Sequence, residues 1–237
     1  MDRREALGMF GALGTGALAG TAAATEHEHS EGHAAALASP INNLHAYFCG
    51  IHIAKSNPKF HVITRHYCGH RGDDMHQCML FDEAEDNPKL LGVEYIISDR
   101  LYRELPEEEK KYWHPHTYEV LAGGLIAPEM TPDEEMTFMK GLLTTWGKTW
   151  HTWPDPTSDL PLGEPLLMWA LTGDHQSDAK VFARRDQQFG VSTAKISERR
   201  VEAFGLELPQ VSSPKSVDQV GRQWTDRGED KPTRRKR

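Results

Sequence analysis

Imidazole nitrogens and thiolates are the ligands that zinc, copper and iron take up, and this chain concentrates both in one stretch. Nine of its thirteen histidines fall between residues 45 and 151. On a β-strand, side chains at i and i+2 share a face. FHVITRHYC (60–68) therefore places His66 and Cys68 together, and MHQCMLFD (75–82) does the same for His76 and Cys78. YWHPHTYEV (112–120) opens with His114 and His116 side by side, and His151 lies in GKTWHTWP (147–154). The constellation read from these spacings is His66, His114 and His116, completed by His151 or Cys68 around a transition metal such as zinc. Glu119 is out of phase with His116 on a regular strand and needs a bulge to join them. The competing reading is a polar sheet whose histidines simply hydrogen-bond to carbonyls and carboxylates.

Other chemistries leave weaker traces. Cys68 beside His66 or His151 has the residue types of a nucleophile and base, and the alternative is a buried structural cysteine. There is no G-x-S-x-G motif. Asp73-Asp74 and the Glu107–Glu109 run read as loop and helix surface, and Lys148 is a lone candidate charge partner. No catalytic or cofactor-binding residue is assigned.

These residues need strands to carry them. Runs rich in β-branched and aromatic residues predict strands at 60–68, 75–82, 89–98, 117–128, 147–154 and 166–172. KLLGVEYIIS (89–98) is continuously apolar and reads as central. Asp99 is expected to cap a helix over 100–113, which Pro106 divides into two short ones. Thr131-Pro132-Asp133-Glu134 opens a helix over 132–145, whose Met136, Met139, Leu142 and Leu143 form a core stripe. Two more helices are expected at 176–189 and 193–204. The strands alternate with no regular helices, and no glycine-rich phosphate loop joins a strand to a helix. The expected fold class is α+β, a largely antiparallel sheet of about six strands with helices packed on it.

The chain of 237 residues carries a net charge of −8, which argues against nucleic acid as a partner. The basic run PTRRKR at the end reads as solvated tail. Three cysteines leave at least one unpaired within the chain. At the other end, Arg3-Arg4, a Gly/Ala-rich apolar run and Ala22-Ala23-Ala24 form a twin-arginine export signal by pattern. The organisation expected is a signal peptide at 1–24, a flexible linker at 25–40, one domain at 41–208 and a polar, disordered tail at 209–237. The expected location is periplasmic or extracellular, where a Cys68–Cys78 disulfide becomes possible.

The segments FCGIH (48–52), HYCGHRGDDMHQCMLFD (66–82), LLGVEYIIS (90–98), LPEEEKKYWHPHTYEV (105–120), WGKTWHTW (146–153) and LPLGEPLLM (160–168) occur in an order that resembles the oil body-associated protein-like family. The resemblance runs from about residue 45 to about 204. It implies association with lipid surfaces for the family's plant members, and no reaction, cofactor or catalytic set. His52, His66, Cys68, His114, His116, Lys148 and His151 all fall inside the family-like segments. Three expectations follow: an exported domain that binds a metal or small ligand through its histidine cluster, a non-enzymatic lipid- or surface-associated protein, or a histidine-assisted enzyme of unassigned substrate.

Overall fold

The computed structural model describes residues 40–208, apart from His175 and the side chain of Pro58. The expected export signal, the linker up to residue 39 and the expected tail lie outside the described residues.

Among the described residues, seven strands and six helices follow a short 3-10 turn at Pro40–Asn43. They are β1 (Ala46–Ala54), β2 (Asn57–His70), β3 (Met75–Phe81), β4 (Leu90–Ser98), α1 (Asp99–Glu104), α2 (Glu107–Lys110), β5 (His114–Pro115), α3 (Thr117–Leu121), α4 (Pro132–Leu142), β6 (Thr145–His151), β7 (Leu166–Trp169), α5 (Ala179–Phe189) and α6 (Thr193–Phe204). All pairings are antiparallel: β1 with β2, β2 with β3, β3 with β4, β4 with β6, β6 with β7 and β7 with β1. The β4–β6 and β7–β1 pairings close the sheet, so six strands form a barrel and β5 adds to β6. Closure removes the unpaired edges that an open sheet would expose. The α+β class holds, and the barrel is its specific form.

Strand alternation decides what the barrel encloses. Phe48, Val62, Cys68, Cys78, Leu80, Leu91, Ile96 and Met168 pack into one buried cluster, joined by Val120 and Leu121 of α3, Leu125 of the following loop and Met139 and Leu142 of α4. Of the stripe expected on α4, Met139, Leu142 and Leu143 are buried in the core, whereas Met136 is half-buried. On the other side of β1, Cys49 and Ile51 pack with Ile63, Ile126 and Val181 of α5. Burial on both faces is why β1 shows no alternation and was not expected as a strand.

Two expectations about the local structure are corrected. Residues 117–128 are not a strand: His116 stands at the N-cap of α3, and beyond the helix only Ile126 bridges to Cys49. Ser98, not Asp99, caps α1, its side chain accepting from the Leu101 N–H. The division at Pro106 is present, with α1 ending before it and α2 starting after it. A capping box between Thr131 and Glu134 opens α4.

Cys68 and Cys78 face each other across β2 and β3 and are joined by a disulfide. Cys49 is the free thiol, buried beneath α5, where burial pushes its pKa up to about 12. No helix among the described residues is long and apolar enough to cross a membrane.

Candidate metal centre

A carboxylate in the middle of an apolar strand is expensive unless charge or hydrogen bonds meet it. Glu94 of β4 is such a group, 1% exposed, and five side chains inside the barrel converge on it. Its Oε2 lies 2.9 Å from His66 Nε2 and 3.9 Å from His52 Nε2. Its Oε1 lies 3.4 Å from His114 Nε2 and 3.5 Å from His116 Nε2, and accepts a 2.8 Å hydrogen bond from Thr149. The two imidazoles on the Oε2 side approach each other to 3.1 Å, Nε2 to Nε2. All four histidines are buried.

The far nitrogens of these rings fix where their protons sit. His66 Nδ1 is 3.1 Å from the Thr64 carbonyl, which can only accept. His66 Nδ1 therefore carries hydrogen. His116 Nδ1 is 2.7 Å from Thr145 Oγ1, and that hydroxyl already donates to the Leu142 carbonyl, so His116 Nδ1 also carries hydrogen. Neutral, both rings present an Nε2 lone pair to a carboxylate, and only a cation between them removes the repulsion. That cation is a proton, which makes the ring an imidazolium, or a metal ion. Burial opposes ionisation of Glu94, but hydrogen bonding from His114, His116 and His66 overrides it and holds the carboxyl well below its ordinary range. Burial acts the other way on the imidazoles, lowering His114 to about 4, His151 to about 3 and His52 well below its usual value.

The space at the centre is made by a missing side chain. A Cβ on Gly147 of β6 would lie 2.2 Å from Glu94 Oε1 and 2.7 Å from both His114 Nε2 and His116 Nε2. Gly147 pairs with His114 across β5 and β6. The three donor atoms thus stand over a bare backbone. Glu94, His114 and His116 form one set of potential metal ligands with donor atoms all within 4.8 Å of one another, and His52, His66 and Glu94 form a second.

Of the residues expected from sequence, His66, His114 and His116 come together. His151 stands one step out: its Nε2 is 3.0 Å from His52 Nδ1, so it orients His52 and does not face Glu94. Cys68 faces the interior as parity required, but its sulfur is bonded to Cys78, which leaves no thiolate for a metal or for nucleophilic attack. Lys148 is outside the cluster, paired at 2.5 Å with Glu109. Glu119 joins without a bulge. The chain turns into α3 at His116, and an i, i+3 helical spacing brings Glu119 Oε1 to 3.7 Å from His116 Nε2. Burial and the neighbouring Glu94 charge push its carboxyl well above the ordinary range.

His52 and Glu94 were missed. His52 lies on β1, whose two buried faces hide strand parity. Glu94 carried a readable signal, being the one acid inside the apolar run LLGVEYIIS.

α3 carries His116 and Glu119, and two fully buried arginines hold it. Arg185 of α5 donates to the Gly123 and Gly124 carbonyls at 2.9 and 3.0 Å. Arg200 of α6 donates to the Val120 carbonyl at 2.6 Å and pairs with Glu135 of α4. These bonds tie down the last turn of α3 and the glycine pair after it, the Val120 carbonyl accepting from the Gly123 N–H as well.

Comparison with known proteins gives the site a family. Residues 38–203 match the family described as protein of unknown function (DUF1264). Oil body-associated protein 1B of Arabidopsis thaliana is 35% identical over 155 residues, which cover 65% of this chain and 64% of that protein. Oil body-associated protein 1A of Zea mays is 34% identical over 161 residues, covering 68% of each chain. Oil body-associated protein 2A of Zea mays is 31% identical over 182 residues, 76% of this chain and 71% of that one. No solved structure matches. The match spans about two thirds of these relatives' length, and the chain belongs to the DUF1264 family.

Proposed function

We propose that the domain binds a divalent transition metal such as zinc at the Glu94 centre, and that it does so outside the cytoplasm. One observation carries the reading: imidazole Nε2 atoms, aimed by tied-back Nδ1 atoms, converge on a buried carboxylate. Imidazole and carboxylate are zinc ligands, and bound zinc is most often four-coordinate. Of the sequence-derived ligands, His66, His114 and His116 serve directly, with His52 and Glu94 added and His151 orienting. The disulfide suits an oxidising compartment, in keeping with the twin-arginine pattern at the start of the chain. Metal analysis of the chain purified without chelator tests this. Stoichiometric metal, lost in Glu94→Gln and in His114→Ala/His116→Ala, is the expected result; metal absent from the wild type contradicts the reading.

A second reading rests on the outer wall. Tyr47, Tyr67, Met79, Val93 and Trp150 are successive cross-strand partners from β1 through β2, β3 and β4 to β6. Tyr67 is 36% and Val93 39% exposed. Such an apolar row suits contact with a lipid surface, the association that the relatives' names give for those proteins. Vesicle flotation tests it: the mature chain floats with phosphatidylcholine vesicles, and Tyr67→Asp/Val93→Asp does not. Failure of the wild type to float removes this reading.

A further inference from the structure

We propose that the centre is dinuclear, with Glu94 bridging two metal ions. This rests on the metal-binding reading above and adds a second ion to it. The two oxygens of Glu94 serve different histidine pairs: Oε2 faces His52 and His66, and Oε1 faces His114 and His116. A tetrahedral ion with bonds of about 2.1 Å separates its ligand atoms by about 3.4 Å. On the first side the three donor separations are 2.9, 3.1 and 3.9 Å, scattered about that value. On the second side Glu94 Oε1 is 3.4 and 3.5 Å from the two imidazoles. Each side is a complete three-ligand set, and the carboxylate belongs to both. A carboxylate that spans two ions places them about 3.5–4 Å apart.

The surrounding groups differ between the two positions. On the first side His66 Nδ1 faces the Thr64 carbonyl, and His52 Nδ1 faces His151 Nε2, the Nδ1 of His151 being buried without a hydrogen-bond partner. On the second, His116 is tied to Thr145, whereas His114 Nδ1 is buried without a hydrogen-bond partner. In the metal-free chain the His114 proton therefore sits on Nε2 against Glu94, and the second ion must displace it to Nδ1. Glu119 is the further carboxylate beside this side, its Oε1 3.7 Å from His116 Nε2. Two divalent ions carry four positive charges against the two carboxylates, so hydroxide or an anionic oxygen ligand completes the centre.

The test is zinc content with anomalous diffraction at the zinc edge. Two ions per chain, as two peaks about 3.5–4 Å apart flanking Glu94, is the expected result. In solution, His52→Ala/His66→Ala should lose one ion and keep the other, His114→Ala/His116→Ala should do the reverse, and Glu94→Gln should lose both. Ions that survive Glu94→Gln bind elsewhere, for example at the ring stack of His45, His70 and His76, and are not counted. A single peak beside Glu94 overturns the bridge and leaves the metal reading standing. No peak there overturns both. The diffraction result on the wild type decides the question even if a variant fails to fold.

Discussion

Gly147 and Glu94 are the residues on which the site turns. A methyl group at 147 would overlap the Glu94 oxygen and crowd both His114 and His116, yet its nearest neighbours are the ends of side chains, not backbone. Gly147→Ala therefore keeps the barrel and closes the space over which the ligands stand. Zinc binding should fall at least tenfold in this variant with a near-native circular dichroism spectrum, measured by competition with a chromophoric chelator. Affinity within twofold of wild type would show that no ion sits there. His151→Ala acts at one remove: it frees His52 Nδ1 and should weaken binding about 10–100-fold without removing a ligand.

The elements that position these residues were only partly legible in sequence. β2, β3, β4, β6 and β7 showed themselves through β-branched and aromatic runs, and strand parity correctly paired His66 with Cys68. β1 did not, because a strand buried on both faces has no period. α3 read as a strand because TYEVL is rich in strand formers. What turns it helical is tertiary: the arginines of α5 and α6 bind the carbonyls at its end, and local propensity carries no trace of them. Arg200→Met should cost about 1.5–3 kcal/mol in chemical denaturation, because it removes buried charge-assisted bonds to Glu135, which keeps Arg199, and to the Val120 carbonyl. It should also weaken zinc binding through displacement of His116; a stable variant with unchanged affinity would separate α3 from the site. Reducing Cys68–Cys78, which are ten residues apart, should cost about 2–4 kcal/mol.

For the whole molecule, a closed barrel filled with imidazoles makes stability depend on acid. In the metal-free chain His114 and His151 titrate at about 4 and about 3, and His52 well below its usual value. The unfolded chain takes up these protons near pH 6.5, so the stability present above that value is lost as pH falls towards 4. Glu119 opposes this, since its raised pKa contributes stability at low pH that is lost as pH rises. With His76, also lowered to about 4 by burial, four groups outweigh one, and the melting temperature of the metal-free chain should drop between pH 7 and pH 5. A flat profile would mean that these rings are protonated in the fold. The metal itself is tested most directly by thermal melting of the metal-free chain with and without zinc, in wild type and Glu94→Gln. At a hundredfold excess over the dissociation constant, zinc should raise the wild-type midpoint by roughly 5–10 °C and leave Glu94→Gln unmoved. No shift in the wild type, or an equal shift in both, would contradict a metal centre at Glu94.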